Sequence, residues 1–126
     1  MSELPRISES EWDVMNVLWE DHPQTAQEVS TRLSDRRQWS DRTVKTLLAR
    51  LVKKGVLAYE VDGKRYLYRP AVDRESCVAA ESRSFLERVH RGAASPLLMH
   101  FLRQNKLTPE ELSEIRRVLE EHEEEA

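Results

Sequence analysis

"WSDRTVKTLLARLVKKG", residues 39–55, is the stretch whose reading decides the fold. Placed at 100° per residue, Val44, Leu47, Leu48 and Leu51 fall within an arc of about 100° and form one apolar stripe. Arg42, Thr46, Ala49 and Lys53 gather near the opposite pole, with Lys45 and Arg50 on the flanks and Thr43 at the N-terminal edge. A helix face that merely meets water mixes charges of both signs, which supports i,i+4 pairs. This face has no acid between Thr43 and Gly55. Ala49 lets a backbone approach closely, and Thr46 offers a hydroxyl and a methyl suited to base edges. Arg42, Lys45, Arg50 and Lys53 have the reach and charge for phosphates or guanine edges. The pattern is that of a helix lying in a DNA major groove.

The flanking sequence supplies the elements such a helix needs. Ser8 and Glu11 make a capping box, and Trp12, Met15, Leu18 and Trp19 recur at helical spacing, so a first helix is expected over residues 9–20. Pro23 disfavours helix at His22 and closes it. Thr25 and Glu28 repeat the capping box before a short second helix whose Ala26, Val29 and Leu33 face inward. Ser40 or Asp41 caps the third helix, which ends at Gly55. Two β-prone runs then flank Asp62-Gly63, the signature of a tight hairpin, and Pro70 closes the unit. Lys64 and Arg65 stand beside the hairpin tip, where a wing would follow a phosphate backbone. Tyr66 and Tyr68 read as strand packing residues with a polar edge. Three helices and a hairpin, with the third helix basic, is the plan of a winged helix-turn-helix domain.

Beyond Pro70 the composition changes. A helix is expected from Asp73 to about residue 90, broken by Gly92. Ser95-Pro96 reads as a cap and a first-turn proline for a short helix, and Thr108-Pro109 with Glu111 opens the last one. Phe85 and Leu86, then Leu98, Phe101 and Leu102, then Leu112, Ile115 and Leu119 form apolar stripes. About 55 residues with so little apolar area are too few to hold a stable core alone. A second copy of the chain is the economical partner, since soluble oligomers are mostly symmetric; packing back onto the first domain is the alternative. The expected fold is therefore mainly α with a small β-hairpin wing. A winged helix-turn-helix DNA-binding domain spans 1–71 and a three-helix dimerisation domain spans 72–126.

Charge sharpens the division. Residues 1–35 carry a net −6, residues 36–70 a net +7, and residues 71–126 a net −4. A compact basic block inside an acidic chain is the footprint of a phosphate-facing surface. No apolar run approaches the roughly 20 residues needed to span a bilayer, so no membrane insertion is expected. The polar start "MSELPRISE" lacks the apolar run of a signal peptide. Cys77 is the single cysteine and cannot form an internal disulfide, which fits the cytoplasm.

Enzymatic chemistry finds no foothold. Three glycines make no phosphate-cradling loop, and there is no nucleophile elbow or supported Cys/His pair. His22, His90, His100 and His122 are scattered without ligand spacing, so neither a metal nor another cofactor is expected.

Together "ISESEWDVMNVLW" (7–19), "TAQEV" (25–29), "WSDRTVKTLLARLVKKGVL" (39–57), "GKRYLYRP" (63–70), "SRSFLERV" (82–89) and "LTPEELSEIRRVLEEH" (107–122) resemble the penicillinase-repressor, or BlaI/MecI, family. The resemblance implies a homodimeric repressor binding an inverted-repeat operator, with the recognition helix on residues 41–54. Arg42, Thr43, Lys45, Thr46 and Arg50 inherit DNA-contact roles from it. It also implies control of β-lactam-resistance or related stress genes, and release by proteolysis in the dimerisation domain through a membrane-bound sensor protease pathway. The family's cleaved Asn-Phe bond matches His100-Phe101, with His standing for Asn. The alternative is a metal- or other-stress-responsive repressor of the same fold, similar to the CopY type. That type carries a cluster of paired cysteines, which this chain lacks.

Overall fold

The computed structural model describes residues 4–126; residues 1–3, where the polar N-terminal stretch begins, lie outside the described residues. The order of elements is α1 (Glu9–Glu20), α2 (Ala26–Leu33), α3 (Asp41–Lys53), β1 (Leu57–Asp62), β2 (Arg65–Pro70), α4 (Arg74–His90), α5 (Ala94–Gln104) and α6 (Pro109–Glu125). Contacts divide the chain into two compact units, one running to Ser82 and the other Arg83–Ala126.

In the first unit the helix starts obey local chemistry. The Ser8 hydroxyl accepts from the Glu11 amide and the Glu11 carboxylate accepts from the Ser8 amide, and Thr25 and Glu28 do the same for α2. Ser40, rather than Asp41, caps α3 by accepting from the Thr43 amide at 3.2 Å. The stripe Val44, Leu47, Leu48 and Leu51 is buried beside Val14, Met15 and Leu18 of α1 and Val29 and Leu33 of α2. Each such side chain contributes about 1.5–3 kcal/mol on leaving water. Turning α3 to bury its cationic face would instead desolvate unpaired charges, at several kcal/mol each. That difference fixes which face of α3 points out.

The hairpin pairs Leu57 with Pro70 through to Asp62 with Arg65 in antiparallel register. The two-residue loop is thus Gly63-Lys64, with Asp62 still in the strand. Gly63 has φ +65 and Lys64 does not enter the left-handed region, the φ pattern of a type II′ turn. The Asp62-Gly63 signal marked the turn but sits one residue early. A feature with no local signature docks the hairpin: Gln24 and Tyr68 exchange backbone hydrogen bonds at 3.0 and 2.8 Å. The Gln24 side chain, buried, donates to the carbonyls of Val17 and Asp21 at the end of α1. Hairpin, α1 and the start of α2 are tied through this one residue.

The first unit continues past the composition change at Pro70. The Trp19 indole donates to the Val72 carbonyl at 3.1 Å, and Cys77 of α4 is buried in the core. Asp73 accepts from the amide and hydroxyl of Ser76 and so caps α4.

The second unit holds the end of α4, then α5 and α6. Ser95 does not cap α5: the N-cap is Ala93, without a side-chain bond, and Ser95 and Pro96 lie inside the first turn. Proline is tolerated there because first-turn amides have no intrahelical acceptor to lose. Thr108, Pro109 and Glu111 start α6 with the expected capping box. No residue of this unit is buried. Among the described residues, no helix is long and apolar enough to cross a membrane.

Candidate nucleic-acid interface

The outward face of α3 presents Arg42, Thr43, Lys45, Thr46, Ala49, Arg50 and Lys53, all exposed. Lys64 and Arg65 are exposed at the hairpin tip. The Thr46 hydroxyl donates to the Arg42 carbonyl one turn back at 3.0 Å, which leaves its oxygen lone pairs and methyl on the open face. The Thr43 hydroxyl lies 3.1 Å from that of Ser40 and belongs to the cap.

The basic block is not uniform. Arg37 bonds Asp13 at 2.8 Å and lies 5.2 Å from the Trp39 ring centroid. Lys54 pairs with Glu11, Arg69 with Glu60 at 2.9 Å, and Arg65 with Asp62 at 3.3 Å. By contrast, the side chains of Arg42, Lys45, Arg50, Lys53 and Lys64 make no hydrogen bond or ion pair among the described residues. Most of the cations that stay free are those the sequence placed on the α3 face and at the tip, although Arg36 ahead of α3 is free as well and Arg65 at the tip is paired. A free cation can meet a phosphate without first breaking an internal pair, and its counterion is released on doing so.

Between α2, α3 and the hairpin runs a cleft of about 560 Å³. Lys45, Lys64 and Arg65 line it with Asp41, Tyr66 and Tyr68, and Thr25, Ala26 and Gln27 form its α2 wall. Asp41 accepts from the Ser30 hydroxyl at 2.7 Å. The Glu28 carboxyl is held below its usual value by its bonds to Thr25, with the positive charges of Arg65 and Arg32 adding to the effect. Sequence reasoning marked Thr25 as a helix cap and did not see that the hairpin lies across from it. No local pattern carries that information.

The two tyrosines do more than fill a strand. Tyr59 and Tyr66 stack with centroids 4.4 Å apart, and the Tyr68 ring is tilted or edge-on to them at 6.0 and 6.2 Å. Burial raises the Tyr68 phenol above its ordinary value, with Tyr66 and Tyr59 adding to it, so it stays a protonated donor. Burial, reinforced by Asp73, likewise raises the Cys77 thiol, leaving little thiolate for redox or metal chemistry. Among the described residues no three His, Cys, Asp or Glu side chains gather in a ligand-like cluster.

In the second unit Leu98, Phe101, Leu112 and Leu119 are exposed, while Phe85, Leu86, Leu102 and Ile115 are half-buried. Met99 and Val118 extend the exposed apolar surface. His100 and Phe101 are adjacent and exposed within α5, Phe101 at 51%.

A family model described as "Penicillinase repressor" matches residues 7–121. The penicillinase repressor of Bacillus licheniformis is 36% identical over 122 residues, covering 97% of this chain and 95% of that protein. The methicillin resistance regulatory protein MecI of Mammaliicoccus sciuri is 31% identical over 113 residues, covering 90% of this chain and 92% of its own length. The solution structure of monomeric Bacillus licheniformis BlaI in complex with the blaP half-operator superposes with a TM-score of 0.52 at 37% identity. It covers 60% of this chain and 93% of that one.

Proposed function

The chain belongs to the penicillinase-repressor family, and on that premise we propose that it is a DNA-binding transcriptional repressor acting as a homodimer on an inverted-repeat operator. The family is one of repressors, not enzymes. The observation that carries the reading is the set of free cations on one surface: Arg42, Lys45, Arg50 and Lys53 on α3 and Lys64 at the hairpin tip. In this reading α3 enters the major groove. Arg42, Thr43, Lys45, Thr46, Arg50 and Lys53 contact phosphates and base edges, and Lys64 and Arg65 follow the adjacent backbone. The relative solved on its half-operator supports the assignment.

The second unit supplies the dimer. With no buried residue of its own and Leu98, Phe101, Leu112 and Leu119 exposed, its stripes lower their free energy against identical stripes of a second copy. Two half-sites related by a two-fold axis then make the operator an inverted repeat. Release follows from proteolysis among these helices, with His100-Phe101 as the bond, in response to a β-lactam or a related stress sensed by a membrane-bound protease pathway.

A mobility-shift assay against inverted repeats upstream of the protein's own gene tests the reading. The full chain should select one such duplex over scrambled competitor and lose it steeply as salt rises. Equal affinity for scrambled DNA, or no binding at low salt, would overturn it.

A further inference from the structure

The cleft between α2, α3 and the hairpin has a composition that DNA reading alone does not require. Its three cations come from two separate elements, Lys45 from α3 and Lys64 and Arg65 from the hairpin. Lys45 and Lys64 are free of internal partners among the described residues. Asp41 is the single carboxylate lining it and already accepts from Ser30. Against these charges stand two aromatic side chains, Tyr66 and Tyr68, the first held in orientation by its stack on Tyr59. The cleft is a half-open groove, and its aromatic side chains and few convergent polar groups are features that small-molecule sites share.

We infer that this cleft binds a small aromatic anion, its ring against Tyr66 and Tyr68 and its charged group between Lys45 and Lys64, and that occupancy competes with DNA. The anion is a phosphate monoester or carboxylate attached to an aromatic ring. The charge requirement comes from the ammonium groups of Lys45 and Lys64, which line the cleft with no internal partner among the described residues. The ring requirement comes from the tyrosines, whose faces and edges favour offset or edge-on aromatic contact. The Tyr68 hydroxyl remains a donor to such a ligand. The first-turn amides of Ala26 and Gln27 add donors to a site the side chains already define, because the capping box engages only those of Thr25 and Glu28. Competition follows from shared groups: Lys45, Lys64 and Arg65 cannot hold the ligand and the phosphate backbone together. The competition rests on the DNA-binding reading above; the anion site does not.

The test is a titration of the full-length protein with phenyl phosphate, followed by amide NMR, with inorganic phosphate as the comparison. Saturable shifts at Thr25, Lys45 and Tyr66 are expected, and inorganic phosphate should bind about fivefold more weakly or worse. Tyr66→Ala should erase that preference, and Lys64→Ala should weaken phenyl phosphate about threefold or more. Both residues are exposed, so the fold survives either change. Saturating phenyl phosphate should raise the Kd for the duplex. Shifts that do not saturate, that fall elsewhere, or that both variants leave unchanged would overturn the site. Saturable binding with no effect on the duplex would overturn the competition. Failure of the chain to bind any duplex would overturn the repressor reading while leaving the anion site standing.

Discussion

The Nζ of Lys54, one residue past the end of α3, donates to Oε1 of Glu11 in the first turn of α1, and the same ammonium donates to the Arg6 carbonyl. Glu11 is 1% exposed and also closes the capping box on Ser8. One carboxylate therefore starts α1 and anchors the far end of the DNA-facing helix. Lys54 belongs to the basic block by sequence, but by structure its charge is committed to the buried carboxylate of Glu11.

Replacing Lys54 by methionine leaves a buried carboxylate with only the Ser8 amide as its hydrogen-bond donor. The expected loss is about 1–3 kcal/mol of unfolding free energy in urea titrations, with α3's outward residues unaltered. A loss indistinguishable from zero would mean the pair is idle.

The same pair sets a pH dependence. Burial by itself would raise the Glu11 carboxyl, but the bonds from Lys54 and Ser8 outweigh it and hold it below its ordinary value. A carboxyl lowered in the folded state stabilises above its unfolded pKa, about 4.3, and that stability drains away as pH falls through the lower folded value. Glu11→Gln should flatten this part of the acid limb in a stability-versus-pH series; an unchanged acid limb would count against the assignment.

Gln24 should prove a docking residue for the hairpin. Gln24→Ala removes the donors to Val17 and Asp21 while leaving the backbone bridge to Tyr68. A loss of about 1–3 kcal/mol is expected, with faster amide exchange at Tyr68. Protection at Tyr68 equal to wild type would contradict the role.

Cys77 is 3% exposed and its thiol is raised by burial. Iodoacetamide at neutral pH should leave it unmodified in the native protein and label it readily in denaturant, as mass spectrometry would show. Rapid native labelling would reveal an opening of α4 from the core.

Local grammar was readable in the sequence and long-range contacts were not. Ser8 with Glu11, Thr25 with Glu28 and Thr108 with Glu111 each act three residues apart, and all three form the expected boxes. The buried stripe of α3 and its exposed pole also follow from periodicity alone. Ser95 misled because Pro96 fits anywhere in a first turn, so the pair did not fix the cap. Lys54 with Glu11, Gln24 with Tyr68 and Trp19 with Val72 join residues 43, 44 and 53 positions apart, and nothing local announces such pairs. The cleft arises from the same long-range packing, which is why Tyr66 and Tyr68 read only as strand residues.

The burial of Cys77 also changes where the chain should be cut. A fragment ending at Ser82 keeps the whole core, so it should stay folded and sediment as a monomer while the full chain sediments as a dimer. A dimeric fragment would move the self-association into the first unit.

The most direct measurement is the salt dependence of duplex binding by the full chain carrying Lys45→Ala or Arg42→Ala, beside Arg32→Ala as the comparison. Arg32 is already paired with Asp21 at 2.8 Å on α2 and lies outside the proposed surface. Each lost phosphate contact should reduce the slope of log Kobs against log salt by about 0.9. The account predicts weaker binding and a shallower slope for at least one of the α3 variants, with Arg32→Ala matching wild type. Wild-type affinity and slope in both α3 variants would contradict it.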